Sequence, residues 1–584
     1  TCLTALMLAV GMVGLSAHGV QAGVYDADTE VAYKEYWVHN KQFTGAHTNP
    51  GCIDTNPNGT FYIEPVGNCE KVLKLNIPES LSRATRAEIY LDLWRNRTPT
   101  YNADGSLDKK TSAIFRINNN ATWFESHPYG YDWSRTPMVA ETVRATDATG
   151  KVIPSSVKSV LELLVQGENT LRFKQTTGLY HIHAIAIRVY FDPNNPLLDG
   201  NGQPISVPNG SLTTVAAQNG SFNASAGGNL TVNNDQVTLT ANLSTNAKYI
   251  EFHGYYRGYD LENDDRDGDQ GALDTKWQNR IRNHWHPGGN EEQPLGGTID
   301  HIGTVAATTP GDYSVTWSMA HIQNQAGVKF KVRIVSADNV VREAAGGVSG
   351  GFTLQRTGHV FAYSQTNWQD FVLYHGGNRP TTVNTTVILP CDYNANDYNS
   401  AWVLGSYWRN PRLGINGNAD FQIFTGGQDN WTLSVRSINR LQLQGGGNTF
   451  TYNYTSGFGQ FIEKPGPLVV LKRTSALPAD SNPPEIVSRT PAAGATNIAV
   501  TSNVQVVLRD TGVGVDLNSL RMFVNGNRVR PNLACVGTDA KEYRLTYTLP
   551  ASHPNNTTVQ VRVEACDLRE NCMEDSYTFD TRLS

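Results

Sequence analysis

The densest run of potential metal ligands is Glu262-Asn263-Asp264-Asp265-Arg266-Asp267-Gly268-Asp269. Alternating oxygen donors, with a glycine that permits a tight turn, suit a hard cation, because Ca²⁺ gathers several carboxylate and carbonyl oxygens. Asp265, Asp267 and Asp269 are the expected ligands of a structural Ca²⁺. A solvated acidic loop accounts for the same residues, since Lys276-Trp277-Gln278 does not supply the closing glutamate of an EF-hand. Aromatic residues crowd polar turns elsewhere: Trp123 and Phe124, then Tyr129-Gly130-Tyr131-Asp132-Trp133. Rings at spacing two on an extended chain share one side. An aromatic plane accepts the C–H face of a sugar while amides and guanidinium groups bind its hydroxyls. Trp123, Tyr129, Tyr131 and Trp133, with Asn118 and Arg135, are therefore the expected carbohydrate-binding residues, with Asn120 beside them. Core packing is the competing reading for each ring, as it is for Tyr255, Tyr256 and Tyr259.

Catalytic constellations are harder to assemble. His181 and His183, like His284 and His286, stand two apart, which on a strand suits a metal or a general base. No third ligand or paired carboxylate accompanies them, so packing is the expected role. Gly347-Val348-Ser349-Gly350-Gly351 has the G-x-S-x-G form, but a nucleophile elbow opens a helix and Phe352-Thr353-Leu354-Gln355 reads as a strand. No catalytic residue is assigned.

The elements that carry these groups are short runs of β-branched and aromatic residues punctuated by Gly, Asn, Asp and Pro, such as Ala87–Leu93, Gln236–Thr240 and Val328–Ile334. Only Ser155–Val165 has a helix-like pattern. Asp192–Gly210 and Ser475–Pro484 read as linkers that bury no apolar area. An internal repeat organises the rest. Tyr90-Leu91-Asp92-Leu93-Trp94-Arg95-Asn96 returns as Leu404-Gly405-Ser406-Tyr407-Trp408-Arg409-Asn410. Phe115-Arg116-Ile117-Asn118-Asn119-Asn120 returns as Leu413-Gly414-Ile415-Asn416-Gly417-Asn418, and Leu164–Phe173 as Leu441–Thr451 with one inserted glycine. The expected fold class is all-β, with tandem antiparallel β-sandwich domains. Two are jelly-roll-like (residues 24–195 and 356–474) and two Ig-like (residues 211–355 and 485–584).

The repeated turns and strands resemble galactose-binding-like β-sandwiches, which include many carbohydrate-binding modules. Tyr313–Trp317 and Phe330–Val335, followed by Ser336-Ala337-Asp338-Asn339, are similar to immunoglobulin-like and fibronectin-like domains. Pro483-Pro484-Glu485-Ile486-Val487 and Pro491–Ile498 resemble the opening of bacterial Ig-like domains of surface proteins and polysaccharide-degrading enzymes. Tyr180 beside His181 is similar to the Tyr/His pairs of jelly-roll polysaccharide lyases.

Charge and cysteines bound the partners. With 47 basic and 53 acidic residues among 584, and a net charge of −6, no basic surplus favours nucleic acid. Residues 1–22 read as a signal peptide cut after Ala22, with a retained N-terminal anchor as the alternative. The mature chain is expected to contain no membrane span and to be secreted or attached to the cell surface. Cys52–Cys69 and Cys566–Cys572 are favoured as local disulfides; Cys391–Cys535 would join two modules, with Cys535–Cys572 as its competitor. The leading expectation is a protein that binds carbohydrate or a cell-surface polymer without catalysis. The alternatives are a secreted polysaccharide lyase or glycosidase, and a self-assembling surface-layer or filament subunit.

Overall fold

The structure is a computed structural model that describes residues 31–39, 61–63, 71–94, 113–126, 135–147, 151–175, 180–224, 229–259, 273–278, 302–344, 352–364, 371–375, 382–408, 411–423, 431–453, 459–536, 541–549 and 554–582. Their regular structure is nearly all β, arranged as tandem sandwiches of largely antiparallel sheets. The first contains β1 (Val31–His39), β2 (Phe61–Ile63), β3 (Lys71–Ile77), β4 (Ala84–Trp94), β5 (Ala113–Ile117), β6 (Phe124–Glu125), β7 (Arg135–Ala140), β8 (Thr142–Val143), β9 (Lys158–Ser159), β10 (Gly167–Gln175) and β11 (Tyr180–Phe191). The order β1-β11-β4-β7, with β2 also on β11, faces β3-β10-β5-β6 across a core that includes Ile89, Phe115, Leu171, Phe173 and Ile187. The helix-like stretch is one α-turn, Val160–Leu163, preceded by a 3₁₀ turn at Pro154–Ser156.

The sequence repeat corresponds to one blueprint built twice. The later copy contains β23 (Val360–Ser364), β24 (Phe371–His375), β25 (Thr382–Leu389), β26 (Tyr398–Trp408), β27 (Arg412–Ile415), β28 (Phe421–Gln422), β29 (Trp431–Ser437), β30 (Gly446–Asn453) and β31 (Gly459–Arg473). Its sheets run β23-β31-β26-β29, with β24 on β31, and β25-β30-β27-β28: the same order, strand for strand. The repeated asparagines explain the motif. Asn118 and Asn416 both adopt positive φ (53° and 50°), which Asn tolerates better than most residues. Asn118 Nδ2 donates to Leu163 O and Asn169 Oδ1, and its Oδ1 accepts from Thr170 N. Asn416 makes the same three bonds to Gln442, Asn448 and Thr449. Asn169 and Asn448, both fully buried, then clasp the turn into β10 or β30. These bonds align Asn169 with Asn448 and Leu164 with Leu443, so no glycine is inserted between them.

Between the copies lie β12 (Gly210–Ala217), β13 (Gly220–Asn223), β14 (Leu230–Val232), β15 (Gln236–Leu243), β16 (Tyr249–Tyr259), β17 (Leu273–Gln278), β18 (Gly303–Ala306), β19 (Gly311–Ser318), β20 (Gln325–Val335), β21 (Val340–Ala344) and β22 (Phe352–Leu354). One layer is β13-β12-β15-β19. The other continues the first sandwich, because β1 pairs with β11 on one side and with β21 on the other, giving a sheet of twelve strands. The two modules therefore share a sheet.

Charged residues line that seam. Arg188 stands opposite Glu88 and Glu35, and Arg333 opposite Glu343 and Glu251. Glu35 Oε1 joins the two rows, accepting from Arg188 Nε at 3.0 Å and Arg333 Nη2 at 2.9 Å, all three side chains at most 1 % exposed. Tyr33 donates to Glu343 Oε1 at 3.1 Å and accepts from Arg333 Nε at 2.8 Å; Lys331 donates to Glu343 Oε2 at 2.8 Å.

The last module contains β32 (Glu485–Thr490), β33 (Asn503–Arg509), β34 (Arg521–Val524), β35 (Asn527–Val529), β36 (Asn532–Cys535), β37 (Glu542–Thr548), β38 (Thr558–Cys566) and β39 (Cys572–Asp580), in sheets β32-β33-β37-β36 and β35-β34-β38-β39. Cys391–Cys535 staples it to the later copy, 144 residues apart in sequence, and Cys566–Cys572 closes a hairpin. Cys52 and Cys69 lie outside the described residues. The presumed linkers are corrected by the structure: Leu197 is fully buried in the first core and Leu477 is 4 % exposed in the later copy's core. Ile205 and Val207 pack against the same core as Leu197, so the first stretch is docked along its length. Among the described residues no helix is long and apolar enough to cross a membrane.

Removing Glu35 leaves two buried guanidinium groups without their shared carboxylate. The variant Glu35→Ala is expected to lose about 3–5 kcal/mol and to unfold the first two modules together in calorimetry. Lys74→Ala, at an exposed pair with Glu168, is expected to cost under about 1 kcal/mol.

Candidate functional site

The sheet β3-β10-β5-β6 sends alternate side chains to opposite faces. Leu73, Leu171, Phe173, Phe115 and Ile117 enter the core, so Lys74, Thr170, Arg172, Lys174, Ile114 and Arg116 point outward. Trp123, half-buried in the turn before β6, lies over this face. Its ring centroid is 4.8 Å from Arg116 Cζ and 5.8 Å from Lys174 Nζ. Arg116 and Arg172 are directly opposite each other across β5 and β10, a like-charge arrangement that costs stability unless something negative is near. The ring's electron-rich face offsets part of that cost. Among the described residues, Glu168 engages Lys74 at 2.9 Å and Glu125 accepts from Thr146 Oγ1.

The structure redistributes the other expected sugar ligands. Asn118 is not a free amide: in the turn after β5, both its N–H groups and its oxygen are engaged by the segment that enters β10. Asn120 Oδ1 likewise accepts from Thr122 N. Arg135 begins β7, opposite Trp94 in the other sheet of the sandwich, so its strand does not belong to the Trp123 layer. Tyr129, Tyr131 and Trp133 lie outside the described residues, as do Asp265, Asp267, Asp269, His284, His286 and Ser349. Tyr256 is core, 2 % exposed and 4.9 Å from the Trp317 ring. A register shift between Ile182 and Ala184 makes His183 a bulge residue, which removes the strict alternation behind a shared His181/His183 face. Sequence reasoning missed Arg116, Arg172 and Lys174, although polar residues alternate with Phe and Leu in Phe115–Ile117 and Leu171–Lys174.

Two further groups of titratable side chains stand apart from this face. Glu88 at the seam is 1 % exposed, beneath Tyr190, which donates to it at 3.1 Å. Burial pushes its carboxyl up to about 7 against the pull of Arg188 and Arg86. Burial also acts on Glu343, but Lys331 and Arg333 outweigh it and hold that carboxyl below its ordinary value. Carboxylate oxygens of Asp480, Asp510 and Asp567 converge within 4.8 Å. Each is anchored by backbone N–H groups, Asp480 from Val513, Asp510 from Gly512 and Gly514, Asp567 from Arg569 and Asn571. Burial, then Asp480 and Asp567, raise Asp510. Oxygens so placed would accept a hard cation.

Residues 480–581 match the family described as Bacterial Ig-like domain. No curated protein matches the chain. Among solved structures it is similar to a beta-porphyranase of glycoside hydrolase family 86 from the human gut bacterium Bacteroides plebeius, at 8% identity over 41% of this chain and 35% of that one, TM-score 0.17. Dimeric latent PorU from Porphyromonas gingivalis shares 8% identity over 97% and 78% of the two chains, TM-score 0.17. A fragment of a bacterial ice-binding adhesin shares 12% over 64% and 99%, TM-score 0.13. The chain spans about a third of the length of the glycoside hydrolase chains it matches.

The raised Glu88 pKa sets a pH dependence. Between about pH 4.5 and 7 the unfolded chain releases this proton while the folded chain keeps it, so the contribution to stability falls as pH rises. Above about 7 the cost is complete, on the order of 3 kcal/mol. Glu88→Gln is expected to gain about 2–3 kcal/mol more, relative to wild type, at pH 8 than at pH 5 in denaturant titrations. An equal difference at both pH values would refute the assignment.

Proposed function

We propose that this chain is a non-catalytic protein of the cell exterior that binds carbohydrate through its first sandwich. The observation that carries the reading is Trp123, a half-buried ring laid over an outward sheet face rather than packed in the core below it. A ring in that position offers apolar surface to the C–H face of a pyranose, and neighbouring cations can reach its oxygens. The galactose-binding-like resemblance of the two copies and the bacterial Ig-like match at 480–581 support the same reading. Disulfides at Cys391–Cys535 and Cys566–Cys572 fit an oxidising compartment outside the cytoplasm. A structural Ca²⁺ on Asp265, Asp267 and Asp269 belongs to this proposal.

Affinity electrophoresis of the full chain against plant, algal and microbial polysaccharides is expected to show retardation. Trp123→Ala should weaken it about tenfold, equivalent to about 1.4 kcal/mol. Release of reducing ends or unsaturated products in the same incubations would replace this reading with a lyase or glycosidase. Regular assemblies in electron micrographs, without glycan retardation, would replace it with a surface-layer or filament subunit. For the calcium site, EGTA is expected to lower the melting temperature of wild type and leave an Asp265→Asn/Asp267→Asn/Asp269→Asn variant unchanged. Equal shifts would remove the metal from that loop.

A further inference from the structure

In the second module, the sheet β13-β12-β15-β19 turns Leu212, Val215, Val237, Leu239 and Trp317 into the core. Alternation then places Thr238, Thr240 and Asn242 of β15 on its outer face, opposite Thr316, Ser314 and Asp312 of β19. The side chains of these three rows pair at 3.2, 2.8 and 2.8 Å. A hydroxyl has one proton and two lone pairs, so one such bond leaves it capacity for more. At the Thr238/Thr316 end the face deepens into a cleft of about 460 Å³. Ala216 and Ala217 supply methyl groups to its lining, Gln236, Thr238 and Thr316 supply amide and hydroxyl groups, and the Asn234-Asp235 turn joins them. Asn234 Oδ1 accepts from Gln236 N at 3.0 Å, which fixes the amide; its Nδ2 is buried without a hydrogen-bond partner among the described residues. Burial tends to raise the Asp235 carboxyl, but Lys472 and Arg356 outweigh it and hold that group below its ordinary value.

We infer that this cleft is a second glycan site, one for a neutral polysaccharide whose hydroxyls exchange hydrogen bonds with Asn234, Gln236, Thr238 and Thr316; this rests on the carbohydrate reading proposed above. Sugar hydroxyls donate and accept as threonines and amides do, so they match this lining without charge, and the alanine methyls give C–H groups an apolar contact. A neutral ligand suits the cleft better than an anionic one. Its lining holds no lysine or arginine, the carboxylates of cleft and ladder (Asp235 and Asp312) oppose an anion, and the cations beside it are engaged by Asp235. No aromatic residue lines the cleft, so affinity must be gathered from several sugars in a row. The ladder provides for this, because the rows at Thr240/Ser314 and Asn242/Asp312 offer two further hydrogen-bonding steps, each about 7 Å along the strands.

The test is calorimetric titration of the full chain carrying Trp123→Ala, which removes the ring of the first sandwich and isolates the cleft. Its ligands are a neutral dextran, a galactan, a mannan and a polyuronate, at about 20 and 500 mM NaCl. The expected result is binding of at least one neutral polymer, changed by salt no more than about twofold. Adding Asn234→Asp, which keeps the bond to Gln236 N but replaces the unpartnered donor with an acceptor, should weaken that binding about tenfold. Thr238→Val/Thr316→Val, which keeps the β-branched shape and removes two hydroxyls, should do the same. Melting temperatures check that both variants are folded. Neutral binding that persists unchanged in both would overturn the site. So would its complete loss with Trp123→Ala alone, which would leave recognition by the first sandwich standing. Binding of the polyuronate alone, or a tenfold loss in 500 mM NaCl, would overturn the neutral assignment. Failure of wild type to bind any polysaccharide would overturn both readings.

Discussion

A single carboxylate, Glu35, ties the first half of the molecule together. It lies on the strand that is inserted between the first sandwich and the second module, and it accepts hydrogen bonds from a guanidinium on each side. Buried charges are costly to desolvate, and the cost is met only where pairing and hydrogen bonding are nearly complete. Here the pairing crosses the module boundary: Arg188 belongs to the sandwich, Arg333 to the module. Each half also pairs its own guanidinium, Arg188 with Glu88 and Arg333 with Glu251, and the bond from Arg333 to Glu35 ties the two sets together. Apolar packing of similar area would hold the modules together, but with less dictation of register.

Beyond that seam the contacts change in kind. The module's core runs directly into the outward residues of β23, β26 and β31, with Val360, Ala362, Leu404, Leu468 and Val470 joined to Phe252, Phe330 and Ile334 in one apolar cluster. Arg356 and Lys472 both engage Asp235 across the same boundary, and burial's tendency to raise that carboxyl is outweighed by these two cations. The last boundary adds a covalent bond, with the Tyr543 hydroxyl oxygen accepting from the backbone N–H of Cys391 beside it. Ionic, apolar and covalent joints therefore follow one another along the chain.

Much of this was legible in the sequence, for identifiable reasons. Strand content and repeat order could be read because alternation and turn residues are local, and the repeated Asn118/Asn416 and Asn169/Asn448 positions mark the same turn in both copies. The local Cys566–Cys572 pair could be read from spacing, whereas Cys391–Cys535 had to compete with Cys535–Cys572 because 144 residues of separation carry no local signal. The seam was not legible at all: Tyr33, Glu35, Arg188 and Arg333 are scattered over some 300 positions, and a charged residue on a strand normally signals solvent. Asn118 was misjudged for a related reason, since a polar residue in a turn looks equally available to a ligand and to its own backbone.

How the modules are joined also decides which faces can serve as surfaces. In the first sandwich, the sheet containing β1, β4 and β11 has its second face closed by the ionic seam and its tyrosines, Tyr33, Tyr90 and Tyr190, each no more than 1 % exposed. In the later copy, the equivalent sheet of β23, β26 and β31 is closed by the second module's core. Two sheets built to the same order thus lose their outer faces to neighbours, by entirely different chemistry. Among the described residues the opposite sheet is not so closed, and there the sequences part: Thr and Asn that hydrogen-bond one another in one case, Arg, Lys and Trp in the other. Duplication supplied two equivalent scaffolds; the joints dictated which sheet each could present, and side-chain divergence on that sheet is where a difference in recognition has room to arise.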